Sequence, residues 1–419
     1  MVLFFCCLLQ ATAVFAAAQL PSRSSTLSRI AFGSCAKQWQ HQTIWDAVLA
    51  TKPDLWLFLG DAIYGDTDGK TAWLVSKEQM AGEWNRLADK PEFNKAREAI
   101  PMMATWDNHD YGSHAGGAEF PVKEGTKEAF LSFWGEPEDS PRWQHSGIYD
   151  ARIFGPPGKR VQVILLDTKY NRSQFKPDPT PKEERLKAGK VGGYIPDDDP
   201  ANTHLGQEQW AWLEEELKKP AEVRLLASST QVIPNQKGMD EWGNFPLERQ
   251  RLFDLIGKTL ASGVILLSGN VHFAELSENS ETAYPLFELT SSGMTHVNEI
   301  YGKSANSYRV AGPFIEHNFG MVEIDWDAKP SPAIAFKAIG ENGAIGFSHR
   351  LSLDQLQIEA KNSAAKQTIC TDPRPQVCTM DYRPVCGERN GVSYKTYSNG
   401  CTACSDQTVV GYIEGECKE

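Results

Sequence analysis

Short apolar runs, each cut off by a Gly, Asp, Asn or Ser, punctuate the first two thirds of the chain. In Leu55–Leu59 the residues Leu, Trp, Leu, Phe and Leu follow without a break, entered from Pro53-Asp54 and left at Gly60-Asp61. A run with no polar alternation reads as a strand buried on both faces, as in the parallel core of an α/β sheet. Ser28–Phe32, Ile100–Thr105, Val161–Leu166, Val223–Ala227 and Val264–Leu267 have a similar form. Between them, apolar residues recur at helical spacing over Thr43–Thr51, Thr71–Leu87, Lys123–Trp134, Leu205–Lys218 and Leu247–Lys258. Further strand-like segments, Leu286–Leu289, Gly320–Ile324, Ala333–Ala338 and Arg350–Leu353, follow with little helix between them. Alternating β and α, then mostly β, predicts two mixed sheets packed face to face with helices outside. Residues 173–204 are rich in Pro, Gly and charge, too polar for core, and read as a long loop of the kind that is either functional or disordered.

What stands at the end of each run changes the picture. Cys35 follows the first, Asp61 and Tyr64 the second, Asn108 and His109 the third, Asp167 the fourth, and Asn270 with His272 the last. Open α/β sheets bind ligands at the carboxyl ends of their strands. Taken singly, each residue has a structural explanation as a turn cap, a buried apolar group or a satisfied interior histidine. Taken together, thiolate, carboxylate, phenolate, amide and imidazole at successive strand ends predict a metal centre. Carboxylate and amide oxygens suit Ca²⁺ or Mg²⁺, and a Cys-Tyr-Asp-His set suits a transition ion such as Fe³⁺. Asp61 would bridge two ions, which could clamp the oxygens of a displacement at phosphorus.

Composition narrows the partners and the compartment. The 419 residues are 41% apolar and 23% charged, enough for a large core and a second small domain. A net charge of -12 without a basic block excludes a nucleic-acid-binding surface. Val2–Leu9 and, apart from Thr12, Ala11–Ala18 are apolar and end in Ala16-Ala17-Ala18, so residues 1–18 read as a signal peptide of a secreted protein rather than a membrane anchor, which Gln10 interrupts; no later stretch is apolar for long enough to span a bilayer. Six of the nine cysteines crowd into the tail, a disulfide framework suited to an oxidising compartment, and Cys35 is the odd thiol. Residues 28–360 form the large domain, 361–369 a polar linker and 370–417 the small domain.

Phe32-Gly33-Ser34-Cys35, Gly60-Asp61-Ala62-Ile63-Tyr64, Thr105-Trp106-Asp107-Asn108-His109-Asp110, Leu166-Asp167-Thr168 and Ser268-Gly269-Asn270-Val271-His272 resemble the alkaline phosphatase D, or PhoD-like, family of metallophosphatases. Leu205–Leu213 is similar to that family's helix signature. The resemblance implies a four-layer αββα sandwich with an Fe³⁺–Ca²⁺ type centre cleaving phosphate esters, other divalent ions being open. It implies Cys35, Asp61, Tyr64 and His272 on iron, and Asp61, Asn108 and Asn270 toward calcium. His109 would contact phosphate or protonate the leaving group, Arg172 would fork onto phosphoryl oxygens, and Asp167 would stand with Arg172 on the substrate side. The chain departs from the family at Asn270, where Asp is usual, so one negative charge is lost. Asn171-Arg172-Ser173 is a glycosylation sequon too near the proposed site to be read as used.

In the tail, cysteine content alone permits fifteen pairings. Val377–Gly387 with Thr396–Cys401 resembles a Kazal-type serine protease inhibitor domain, with a longer Cys386–Tyr397 loop and a shorter Cys404–Cys417 interval than usual. The resemblance implies the pairs Cys370–Cys404, Cys378–Cys401 and Cys386–Cys417. It implies Met380 at the cleavage position before Asp381, suited to a subtilisin-, elastase- or chymotrypsin-like protease. A disulfide-braced module without a target is the plain alternative. For the whole chain, a secreted phosphoesterase competes with a protease-binding protein whose large domain is degenerate.

Overall fold

A computed structural model describes residues 17–67, 75–358, 368–389 and 393–417. The chain divides into two compact units, Met1–Gln357 and Ile358–Glu419. The signal peptide read over 1–18 and the linker read over 361–369 fall mostly outside the described residues, as does the start of the helix expected from Thr71.

The strands of the large unit are β1 (Arg29–Gly33), β2 (Leu55–Leu59), β3 (Met102–Thr105), β4 (Asp150–Phe154), β5 (Val161–Leu165), the short β6 (Lys176–Pro177) and β7 (Tyr194–Ile195), β8 (Val223–Ala227), β9 (Val264–Ser268), β10 (Ala274–Asn279), β11 (Leu286–Ser291), β12 (Arg309–Phe314), β13 (Asn318–Asp325), β14 (Ala333–Gly340) and β15 (Ile345–Ser352). One sheet runs β15-β14-β13-β1-β2-β3 and the other β12-β10-β11-β9-β8-β5-β4. In the first, β1, β2 and β3 are parallel. In the second, β5, β8, β9 and β11 are parallel. The unbroken apolar runs are these parallel strands, and β2, β5, β8, β9 and β11 are buried at every residue. The sheets face each other, with Phe287 of β11 against Phe336 of β14 at 5.8 Å between ring centroids. Thr105 Oγ1 donates to the Leu166 carbonyl at 2.7 Å, which ties the carboxyl end of β3 to that of β5 across the sandwich.

Alternation along β2 sends Trp56 and Phe58 to the outer face. There they meet Trp45 of the helix Ile44–Thr51, at 4.8 and 6.2 Å between centroids. Phe93 and Trp134 of the next helices close the same layer. Burying a side chain of this size contributes about 1.5–3 kcal/mol. The helix Gln207–Lys218 covers the other sheet, where the Gln162 amide of β5 donates to Glu216 O at 2.9 Å. Asp54, just ahead of β2, accepts the N–H groups of Ser28 and Arg29 at 2.7 and 2.8 Å and fixes the start of β1 beside it. The result is a helix–sheet–sheet–helix sandwich.

The small unit is a sheet ordered β16 (Thr368–Ile369), β19 (Val409–Glu414), β17 (Val385–Arg389) and β18 (Ser393–Tyr397), with the helix Gly400–Ser405. Its three disulfides are Cys370–Cys404, Cys378–Cys401 and Cys386–Cys417, the pairing the resemblance implied.

Candidate functional site

At the carboxyl ends of β1, β2 and β3 the predicted residues meet. Cys35 Sγ lies 3.5 Å from Asp61 Oδ2, and the other Asp61 oxygen accepts the His109 N–H at 3.1 Å. The Tyr64 ring stacks on the His109 imidazole at 4.0 Å between centroids, and its hydroxyl is 3.1 Å from His296 Nε2. His296 in turn meets the His272 ring edge-on at 4.2 Å. Cys35, Asp61, Tyr64, His109, His296 and His272 therefore form one continuous chain of contacts. Asn108 Nδ2 stands 3.1 Å from His114 Nδ1, and Asn270 Nδ2 donates to the Asp240 carbonyl at 3.2 Å. Asn108 and Asn270 both line an adjoining cleft of about 460 Å³. A larger cavity of about 550 Å³, beside Met102, Arg142 and Arg152, is lined by none of these groups.

The backbone that places them is strained. Six described non-glycine residues have positive φ, and four of them are predicted ligands: Cys35 (63°), Asp61 (51°), Asn270 (69°) and His272 (59°). Each such residue costs on the order of 1–3 kcal/mol, and this strain gathers at functional sites. Two devices hold it. The Asp110 carboxylate accepts N–H groups from Asp61, from Ile63 at 3.0 Å and from Asp107 at 3.0 Å, so one buried side chain fixes two strand ends together. Gly60, at φ 89°, sits where an added Cβ would come 2.4 Å from Asp107 Cβ.

Burial dominates the electrostatics. It pushes Asp61 up to about 7, with His109 opposing the rise and Asp107 adding to it. It also raises the Cys35 thiol, with the Asp61 charge assisting, and the Tyr64 phenol, with Cys35 and Asp61 assisting. Burial lowers His272 to about 3 and His296 to about 2, so both are neutral imidazoles. His109 differs: burial pulls it down, but Asp61 and Asp66 outweigh that and raise it. Its Nδ1 is 2.5 Å from Asp66 Oδ1.

Two expected residues stand apart, and their roles are corrected. The Asp167 carboxylate accepts the N–H groups of Ile148 at 2.9 Å, Lys169 at 2.8 Å and Tyr170 at 2.9 Å, so it caps a turn. Arg172 is wholly buried and its two terminal nitrogens donate to the carbonyls of Ser173, Ala115 and Gly116 at 2.7, 2.8 and 2.6 Å, so the fork is turned to backbone, with its Nε left without a partner. Asn171 is half-buried with its amide turned to Ser146, consistent with an unused sequon. Other residues were missed in sequence. His296 lies in the loop after β11, a parallel strand whose end the same rule would have searched. Asp66, Lys169 and Asp107 all follow strand ends, but no residue pattern marks the His109–Asp66 contact or the ion pair of buried Lys169 with Asp107 at 2.7 Å and Asp240 at 2.5 Å.

Among the described residues no three His, Cys, Asp or Glu side chains are positioned to hold a metal ion by themselves. The candidate set also draws on Tyr64 and the two Asn amides. It fits a cation chemically: three buried acidic groups, Cys35, Asp61 and Tyr64, are each held toward their neutral forms by burial first and by neighbouring negative charge second, from Asp61 on Cys35, from Asp107 on Asp61, and from Cys35 and Asp61 on Tyr64. A cation between them would reverse all three shifts.

The sequence profile of the PhoD-like phosphatases matches residues 30–347. The chain belongs to that family. This PhoD-like chain is 26% identical to alkaline phosphatase D of Bacillus subtilis (strain 168) over 289 residues, which is 62% of the chain and 48% of the relative. It thus spans about half the length of that protein. A solved structure titled "Structure of PhoD" superposes with a TM-score of 0.55 at 17% identity, covering 80% of this chain and 73% of the other, which shows a shared fold. The tail is a Kazal domain: the profile of Kazal-type serine protease inhibitor domains matches residues 370–411. Ovomucoid of Corvus albus is 57% identical over 37 residues, 9% of this chain and 59% of that protein, and ovomucoid of Dacelo novaeguineae 44% over 41 residues, 10% and 67%. Within the Kazal-like unit Met380 is fully exposed. The Asn399 amide donates to the carbonyls of Thr379 and Asp381 at 2.9 and 3.0 Å, bracing the backbone on both sides of it.

Proposed function

We propose that the large unit is a secreted, metal-dependent phosphoesterase and that the Kazal-like unit binds a serine protease. The observation carrying the first part is that Cys35, Asp61, Asn270 and His272, all predicted ligands, hold left-handed backbone at neighbouring strand ends. Cys35, Asp61, Tyr64 and His272 would hold an Fe³⁺-like ion, and Asp61, Asn108 and Asn270 a Ca²⁺-like one, other divalent ions being an option. When bound, such ions supply positive charge against phosphoryl oxygens and a water of lowered pKa.

The chain's own residues then have distinct duties. Asp66 engages His109 Nδ1, which leaves Nε2 as the nitrogen free to face substrate. The Asp61 and Asp66 charges outweigh burial and favour the protonated imidazole, from which His109 would give a proton to the leaving oxygen. Tyr64, stacked on that imidazole, fixes its plane. Lys169, between Asp107 and Asp240, neutralises the acids behind Asn108 and Asn270.

Hydrolysis of p-nitrophenyl phosphate and bis-p-nitrophenyl phosphate by the full chain with calcium and iron tests this, and turnover of neither overturns it. A second reading, a protease-binding protein on a degenerate phosphatase scaffold, draws on Asn270 and on the exposure of Met380. Subtilisin inhibition that disappears in Met380→Gly, in a chain inert toward both esters, would favour it.

A further inference from the structure

We propose that Lys182 and Arg185 form a second anion subsite, which directs the enzyme to phosphate esters whose leaving group carries another anionic group. This rests on the phosphoesterase reading above and names its substrate class. Both side chains line the same cleft as Asn108 and Asn270. They come from the helix Lys182–Lys187, inside the long polar segment 173–204.

The first argument is charge without a partner. The chain carries a net charge of -12, and the buried cations among its described residues are engaged: Lys169, Lys237 and Arg142 with Asp107, Glu275 and Glu136, and Lys127, Arg172 and Arg224 with backbone carbonyls. Among the described residues neither Lys182 nor Arg185 has a carboxylate within ion-pair distance. Arg185 makes one side-chain bond, to the Thr180 carbonyl at 2.9 Å, and its Nε is buried with no partner. Asp178 feels the Arg185 charge, but its carboxylate bonds to Thr180 N–H at 2.8 Å. A guanidinium left partly desolvated at a cleft wall is stabilised by a carboxylate or phosphate oxygen, and among the described residues no carboxylate is within ion-pair distance of it. Asp240 lines the cleft as well, but its charge is taken by Lys169.

The second argument is rigidity. The segment after the helix is bonded to the strand-end loop that carries Asp240: Val191 and Gly192 donate to the Lys237 carbonyl at 3.0 and 2.9 Å, and Tyr194 to that of Gly238 at 3.0 Å. A Cβ on Gly192 would fall 1.7 Å from the Gly238 oxygen, so the two loops are in direct backbone contact. The backbone next to the helix is therefore fixed to the cleft floor, and the Thr180 carbonyl holds the Arg185 guanidinium, before any ligand arrives, which lowers the ordering cost of binding. Tyr194 and Tyr301 line the same walls and give the body of the leaving group apolar surface to lie against.

The test compares adenosine 3′,5′-bisphosphate with adenosine 5′-phosphate, using the full chain with calcium and iron and the Lys182→Ala/Arg185→Ala double variant. The wild type should have a KM about tenfold lower for the bisphosphate, the scale of one or two charge-assisted bonds in a partly solvated cleft. The double variant should lose that advantage with kcat and the monophosphate KM unchanged, and Arg185→Lys should retain most of it. An equal KM for the two nucleotides in the wild type, or an equal rise for both in the variant, overturns the subsite. If neither nucleotide is hydrolysed, the phosphoesterase reading fails, and calorimetric binding of the bisphosphate decides the subsite alone. Weaker binding in the double variant supports it, and unchanged binding sinks it.

Discussion

Asn270 holds a strained φ of 69° and gives its amide nitrogen to Asp240, so its oxygen is the atom left to face the cleft. An amide oxygen binds a hard ion without contributing charge. Asn270→Asp should therefore tighten calcium by about tenfold, roughly 1.4 kcal/mol, read as a lower calcium concentration for half-maximal ester hydrolysis. Asp110 is a different case, a buried carboxylate that touches no predicted ligand ion yet fixes the backbone of two strand ends. Asp110→Ala would leave buried N–H groups unpaired and should cost about 3 kcal/mol in denaturant unfolding, with activity lost as well. Residue identities at the site were legible because ligand-type side chains follow buried runs. Asp110 was visible in its motif, but its role was not, since three N–H groups converging on one carboxylate is a fact of three dimensions. Arg172 misled for the converse reason: a forked cation near the motifs looks like a phosphate clamp until its donors are found on carbonyls.

Among the elements, the parallel strands were readable because burial on both faces leaves an unbroken apolar signature. The rest obeyed weaker rules. β4 is only half-buried over most of its length, and β12 is mostly exposed with Gly312-Pro313 inside it, so neither shows an apolar run. The helix Pro91–Ala99 begins on a proline, which reads as a break but is well placed in a first turn. The turn after β2 gives the sharpest test at this scale. Gly60→Ala would put a Cβ into Asp107 at a φ suited to glycine. It should destabilise the unit by about 2–4 kcal/mol, measured by thermal melting, and should separate Asp61 from the His109 N–H. Loss of activity with unchanged melting would contradict that coupling.

Over the whole molecule, the two units are built on different principles. The large one rests on a buried core. The small one has a core of only a few residues, including Val385, Tyr397, Ala403 and Val409, and three disulfides. Removing a disulfide from a domain this small costs about 2–5 kcal/mol. Mild reduction should accordingly abolish any protease inhibition while ester hydrolysis continues, since Cys35 is the one free thiol among the described residues and is buried. The crowding of cysteines into the tail made that division legible in the sequence. The place of β1 was not legible, because antiparallel pairing with β13 leaves no local mark. β1 lies between β2 and β13, with Arg29 opposite Glu323. The first strand made is thus a middle plank whose far neighbour is among the last to emerge. Synthesis must run almost to the end of the unit before that open flank is covered, and until then the edge is open to pairing with a stranger.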